Sequence, residues 1–245
     1  MESNDAVETL DYNSTYSENN QQDSSVKLAE REKITIKGGK IYAFFKRFFD
    51  IVCSLLAIIV LAIPMLIVGI IVKCTSKGPM IFKDNRIGLN GKKINVWKFR
   101  SMYIDAESNI DKYLTPEQKI IWEKERKLDN DPRITSIGKF IRKTSIDELP
   151  QLFNILAGTI SIVGPRPISE NELNENYDDY QKEMLLKVKP GLTGYWQVYG
   201  RSDVDYESGK RQEEELKYLS KRSLFFDLKL ILLTIPAVIE RKGAK

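Results

Sequence analysis

Residues 51–72 read IVCSLLAIIVLAIPMLIVGIIV, an uncharged run of 22 positions. At about 1.5 Å per residue, a helix of that length reaches across the hydrocarbon core of a bilayer. Two features argue against a simple crossing. Lys46 and Arg47 precede the run and Lys73 and Lys77 follow it, so positive residues flank both ends instead of marking one as cytoplasmic. Pro64, near the middle, has no amide to donate and frees the carbonyl of Val60. The pattern predicts a helix that enters one leaflet, bends at Pro64 and returns, both ends on one face. A kinked single span is the competing reading.

Working outward from this run, the charge is uneven. The net charge is +4, yet residues 1–26 carry six acids and no Lys or Arg, whereas residues 37–100 carry twelve basic side chains against Asp50 and Asp84. Residues 1 to about 30 are polar with few apolar side chains and are expected to be a disordered tail. The first apolar run starts late and follows acidic residues, which does not fit a signal peptide and places the folded part on the cytosolic side. A basic segment beside an apolar run points to anionic lipid and lipid phosphate in preference to nucleic acid. The chain has no histidine, which removes the commonest general base and metal ligand. Cys53 and Cys74 are too few for a disulfide framework or a zinc site and fit a reducing compartment.

After the run, Asn90-Gly91 between short alternating apolar stretches signals a two-residue hairpin. Ile81, Phe82, Ile94, Val96 and Phe99 would build a small sheet, with Lys98 and Arg100 on one face and Trp97 and Phe99 on the other. Those two cations suit either a solvated strand face or phosphate contacts. Residues 105–127 read as a surface helix with a restart at Thr115-Pro116-Glu117 and anchors at Ile121 and Trp122. Asp131-Pro132-Arg133 opens a turn, and Ile134 to Arg142 is short and amphipathic.

Residues 144–167, TSIDELPQLFNILAGTISIVGPRP, gather the chemistry. Asp147 and Glu148 lie between basic Arg142 and Lys143 and the rigid turn Pro165-Arg166-Pro167, the composition of a phosphate-handling site. Ser145-x-x-Glu148 also fits a capping box, with Leu149, Leu152, Phe153, Ile155 and Leu156 as the buried face. Pro150 weakens that alternative, because it would fall beyond the first turn and crowd the carbonyl of Ile146. The following acidic stretch around Asp178, Asp179 and Tyr180 reads as a solvated helix. In Lys189 to Arg201, KPGLTGYWQVYGR, three glycines allow close backbone approach to a ligand, aromatic rings offer stacking faces and Arg201 adds a cation. A loop packed by its own aromatics is the alternative. Leu224 to Ile239 is apolar around much of its circumference, interrupted by Asp227, Lys229 and Pro236, and reads as an interfacial helix.

The order of KRFFDIVCS, the proline-broken run, KFRSM, NDPRITSIGKFIRKTSIDELPQLFNIL, SIVGPRP, KPGLTGYWQVYGR and FFDLK resembles the bacterial sugar transferases, the monotopic polyprenyl-phosphate phosphoglycosyl transferases, from about Lys46 to Arg241. The resemblance implies transfer of sugar 1-phosphate from a UDP-sugar to undecaprenyl phosphate with release of UMP, initiating capsule, exopolysaccharide or O-antigen synthesis. It makes Asp147 the nucleophile of a covalent phosphosugar intermediate and Glu148 a Mg²⁺ ligand. Arg166, held by Pro165 and Pro167, ranks first for phosphate contact, ahead of Lys98, Arg100, Arg133, Arg142 and Arg201. Three positions depart from the family pattern: Ile63-Pro64 replaces a usual Ser-Pro, Tyr199 stands where a small or amide residue is common, and Glu215 replaces an Asp ahead of Tyr218.

The expected fold is therefore a helix-rich mixed α/β domain facing the cytoplasm on a Pro-kinked reentrant membrane helix, with interfacial amphipathic helices. The expected divisions are a polar tail at 1–40, the membrane helix at 41–77 and a catalytic domain at 78–245. The length between Met102 and Asp131 resembles members that transfer hexose 1-phosphate, galactose or glucose. A non-catalytic single-span adaptor that binds anionic lipid or a polysaccharide-export partner is the alternative function.

Overall fold

The computed structural model describes residues 34–125, 128–200 and 208–239; the predicted polar tail lies almost entirely outside them. Helix α1, Lys40–Thr75, holds the apolar run. At about 1.5 Å per residue it is roughly 54 Å long. Pro64 is carried inside it, so the break expected at Ile63-Pro64 does not divide the element. Most of its surface is left uncovered: Phe44, Phe48, Leu56, Ile59, Val60 and Ile63 are each more than half exposed. This is the one helix among the described residues long and apolar enough to cross a membrane.

The hairpin forms as β1, Ile81–Ile87, and β2, Lys93–Phe99, antiparallel with Ile81 opposite Phe99 and Ile87 opposite Lys93. The turn is longer than two residues, since Gly88 N–H donates to the Lys92 carbonyl. Asn90 and Gly91 nonetheless occupy its left-handed centre, at φ 57° and 73°, where both residue types are tolerated. Beyond it, α2, Ile110–Tyr113, and α3, Pro116–Glu125, replace one surface helix by two, separated near the expected restart. Trp122 is an anchor, lying under the Arg133 guanidinium at 5.1 Å, but Ile121 is exposed. Helix α4, Ser136–Lys143, starts on Thr135, whose hydroxyl accepts from Gly138 N–H.

A single 3₁₀ turn, Ile146–Glu148, follows and is separate from α5, Gln151–Ala157. Strand β3, Ser161–Val163, lies parallel to β4, Gly191–Thr193. Between these strands, α6, Glu170–Asn176, and α7, Asp179–Leu186, each begin with a capping box. They are not simply solvated, because Leu173, Tyr177 and Leu185 join Ile87 and Ile168 in one buried cluster. The chain then forms α8, Tyr195–Tyr199, α9, Lys210–Lys221, and α10, Leu224–Ile239.

The polar domain packs along α1 over much of its length. Val96, Leu152, Ile155 and Ile160 meet Ala57, Ile58 and Leu61, while Phe99 and Ile141 meet Met65 and Val72. Polar ties secure both ends. Lys46 Nζ bonds Asp227 at 2.6 Å and Tyr42 donates to the same carboxylate at 2.8 Å. Arg47 donates to the carbonyls of Ile155 and Leu156, both at 2.7 Å. At the other end, Arg100 donates to the carbonyls of Val72, Ser76 and Lys77, groups that a helix C-terminus leaves without internal partners. Asp227 therefore does not interrupt α10 at its surface; it is buried and turned toward α1, while Phe225, Leu228, Leu232 and Ile235 form an exposed stripe.

Candidate active site

Ser145 takes a left-handed conformation, φ 55° and ψ 17°, and its side chain makes no capping bond. The capping-box alternative is therefore not formed at the carboxylates. The chain turns sharply at Ser145, makes the 3₁₀ turn, and restarts at Pro150, which sits at the N-cap of α5 where its missing amide is harmless. Ile146 and Leu149 anchor this turn on the cluster that holds Met65 and Val72 of α1. Asp147 and Glu148 are thereby carried on a turn seated against the apolar helix α1.

Two cations, Lys98 on β2 and Arg142 at the end of α4, act electrostatically on Asp147, each hydrogen-bonded to another partner. Burial nevertheless dominates, and together with the Glu148 charge it lifts the Asp147 carboxyl from 3.8 to about 6. Arg142 is aimed by Ser101, whose Oγ accepts from Nε at 2.8 Å. Lys98 is held by Asp84, Nζ to Oδ2 at 2.9 Å. Asp84 also accepts from Arg86 at 2.9 Å, and Arg86 reaches Glu172 at 3.3 Å and the Pro167 carbonyl at 3.4 Å.

The Pro165-Arg166-Pro167 turn is fixed through its backbone. Pro165 O accepts from Gly191 N–H at 2.8 Å and Arg166 N–H donates to Glu215 Oε2 at 3.0 Å. Glu215 is 1 % exposed, and burial pushes its carboxyl up to about 7 against the opposing pull of the Arg166 amide and nearby Arg211. The residue that departs from the family pattern therefore braces the arginine turn. The Arg166 guanidinium lies 5.6 Å from the Trp196 ring centre, with Arg211 at 4.2 Å from the same ring.

The remaining expectations sort differently. Arg100 lies just past the end of β2 and its guanidinium is engaged with the α1 carbonyls, so it is a helix-capping group instead of a member of the cation set around Asp147. Arg133 is buried in a bidentate pair with Asp131, Nη2 to Oδ2 at 2.7 Å. Arg201 lies outside the described residues. Two of the three glycines of the 189–200 stretch serve chain packing: a Cβ on Gly191 would stand 2.1 Å from Gly164 N, and one on Gly194 2.1 Å from Gly164 O. Close approach is between two stretches of backbone, and the Trp196 ring is taken up by guanidinium groups. Asp84, Arg86, Ser101 and Arg211 escaped the sequence reading because none sits in a diagnostic spacing. Alternate placement of Asp84 and Arg86 on one strand face was the available signal.

As a metal-binding set, the described residues contain no cluster of three or more His, Cys, Asp and Glu side chains. Two adjacent, mutually repelling carboxylates, one partly neutralised by burial, suit a hard cation that completes its shell with substrate oxygens and water. They do not suit a closed protein cage.

The family profile described as Bacterial sugar transferase matches residues 41–241. The chain belongs to this family. Among its curated relatives, an undecaprenyl-phosphate galactose phosphotransferase of Salmonella typhimurium is 44% identical over 203 residues, covering 82% of this chain and 42% of that protein. The exopolysaccharide production protein ExoY of Rhizobium meliloti is 39% identical, covering 81% of this chain and 87% of the relative. A UDP-glucose:undecaprenyl-phosphate glucose-1-phosphate transferase of Klebsiella pneumoniae is 43% identical over 78% of this chain and 39% of its own length. This sugar transferase chain thus spans about two fifths of the first and third of these relatives, and most of ExoY. The matched region contains the carboxylate turn, the arginine turn and all of α1 after Lys40.

Proposed function

We propose that this sugar transferase moves the sugar 1-phosphate of a UDP-sugar onto undecaprenyl phosphate at the cytoplasmic face of the bacterial inner membrane, the first step of capsule, exopolysaccharide or O-antigen synthesis. The observation that carries the reading is the Asp147-Glu148 turn, fixed beside an uncovered apolar helix and faced by Lys98 and Arg142. An Asp147 oxygen bonds to the sugar-proximal phosphorus as the diphosphate P–O bond breaks, and UMP departs. An oxygen of undecaprenyl phosphate then bonds to that phosphorus as the aspartyl bond breaks, giving the diphosphate-linked lipid sugar. A carboxylate approaching an anionic diphosphate meets charge repulsion. Lys98 and Arg142 offset it in a partly buried site, where fixed charges act more strongly than in open water. Mg²⁺, held by Glu148 with substrate oxygens, would supply further neutralisation of the diphosphate. Arg166, its backbone set by two prolines and Glu215, would recognise a second phosphate.

The membrane reading rests on the packing of α1. If this helix crossed the bilayer upright, the elements packed from Ala57 to Val72, with Asp147 and Glu148 among their neighbours, would lie in hydrocarbon, where charged groups are costly. Both ends of α1 are tied to one polar domain, which favours both ends on the cytoplasmic face with the helix bending at Pro64 within the leaflet. The phosphate of a polyprenyl acceptor stays at that depth while its tail remains in lipid. Galactose or glucose 1-phosphate is the favoured group, because relatives named for both match the chain.

The test is UMP release from a panel of UDP-sugars with undecaprenyl phosphate in detergent, followed by trapping of the phosphosugar on a peptide containing residue 147. Wild-type turnover with an adduct on Asp147 is expected. Turnover retained by Asp147→Asn, or transfer without any adduct, would overturn the mechanism. No UMP release from any UDP-sugar would favour the non-catalytic adaptor.

A further inference from the structure

We infer that Asp84, on β1, is a positioning residue for the transfer: it holds Lys98 against the Asp147-Glu148 turn and joins that cation to the Arg166 turn. The inference rests on the reading of Lys98 as part of the transfer site. Asp84 and Lys98 lie on opposite strands of the hairpin, where Asp84 pairs with Val96 and Lys98 with Phe82. They are diagonal neighbours on one face, and a long side chain spans that separation. The carboxylate receives Lys98 Nζ and Arg86 Nη2, each at 2.9 Å on the same oxygen, Oδ2. The three side chains are largely shielded, with exposures of 22% for Lys98, 18% for Arg86 and 16% for Asp84. Arg86 continues to Glu172, which also pairs with Arg211 at 3.1 Å. Alternating charges thus run from Lys98 through Asp84, Arg86 and Glu172 to Arg211, over the ring that Arg166 also faces.

This arrangement has a chemical reason. A lysine has a flexible four-carbon stem and three rotatable donors. Left alone beside two carboxylates, Lys98 would have many positions from which to neutralise them, few of them suited to a transferring phosphoryl group. One bond to Asp84 restricts that freedom and leaves donors for the substrate. The Arg86 contact to the Pro167 carbonyl places the arginine turn in register with the same strand. Since charge on the transferring group is redistributed in the transition state, misplacing Lys98 should lower kcat more than it changes substrate affinity.

The experiment is a double-mutant cycle in full-length protein, using UDP-galactose or UDP-glucose, whichever wild type turns over, with undecaprenyl phosphate in detergent. Asp84→Asn is expected to lower kcat on the order of tenfold to a hundredfold, with KM for the UDP-sugar within about twofold; because the pair is shielded the change also costs stability, so kcat is read at a temperature where thermal unfolding shows every variant to be folded. In a Lys98→Met background the same change should cost no more than about twofold, since residues acting through one another are not additive. Wild-type kcat in Asp84→Asn, a loss confined to KM, or an equal kcat loss in both backgrounds would overturn the inference. Wild-type protein that releases no UMP would instead remove the functional reading on which it rests.

Discussion

On the proposed mechanism, Asp147 combines a task that needs its charge with a place that opposes it. Its carboxyl is raised from 3.8 to about 6 by burial and by Glu148, so the folded state binds a proton more tightly than the unfolded chain does between those values. Folding stability is then highest below about pH 4 for this group and declines as pH rises toward 6, after which the penalty is constant. Asp147→Asn, which cannot ionise, should abolish UMP release yet make the divalent-free protein more stable at pH 7.5 by about 3 kcal/mol. Thermal unfolding at pH 7.5 and pH 4 checks this, since the gap should close at the lower pH. Activity runs the other way: wild-type turnover should fall on the acid side, because the attacking oxygen must be ionised, with a midpoint that a divalent cation beside Glu148 would move below about 6. Turnover that rises as the pH falls below about 6 would contradict that role. The carboxylate pair was legible in the residue order. Its elevated carboxyl was not, because burial comes from Ile146 and Leu149 seating the turn against a helix more than 70 positions earlier.

At the scale of elements, the hairpin and the broken backbone at Pro150 follow from local chemistry. Asn90-Gly91 accepts left-handed backbone, and a proline favours the start of a helix over its interior. The 189–200 stretch shows the opposite case. Glycine permits close approach without specifying what approaches, and here the partner is Gly164 across the short parallel pair. Gly191→Ala would drive its Cβ to 2.1 Å from Gly164 N, a backbone clash that no rotamer change relieves. Loss of at least about 3 kcal/mol is expected, measured by denaturant midpoint. Activity should fall with it, because Gly191 N–H also fixes Pro165 of the arginine turn. Arg100→Met should likewise weaken the anchoring of the α1 C-terminus, where three carbonyls lose their donor. Faster proteolysis around residues 76–78 in detergent is the expected outcome, with the Asp147 adduct still formed at a reduced rate.

For the molecule as a whole, the exposed face of α1 and the stripe on α10 are the apolar surfaces that the proposed membrane setting would cover, while the ties at Tyr42, Lys46 and Arg100 bind both ends of α1 to one polar body. In a background carrying Cys53→Ala and Cys74→Ala, Lys37→Cys and Lys77→Cys should react with a membrane-impermeant thiol reagent only after the cytoplasmic face is opened. Labelling of one site from outside intact cells would establish a span. The sequence by itself determined that an apolar helix of membrane-spanning length is present, that the chain has no histidine chemistry, and that a carboxylate pair, an arginine turn and a hairpin occur in family order. These are properties of local composition, spacing and backbone preference, and need no distant partner. Only the tertiary structure decided which cations serve the carboxylates. Lys98 and Arg142, hydrogen-bonded to Asp84 and Ser101, are held where their charge acts on Asp147, whereas Arg100 caps α1 and Arg133 is consumed by Asp131. Every arginine and lysine carries the same charge in a one-dimensional listing; what it does depends on the acceptors that folding brings within about 3 Å of it.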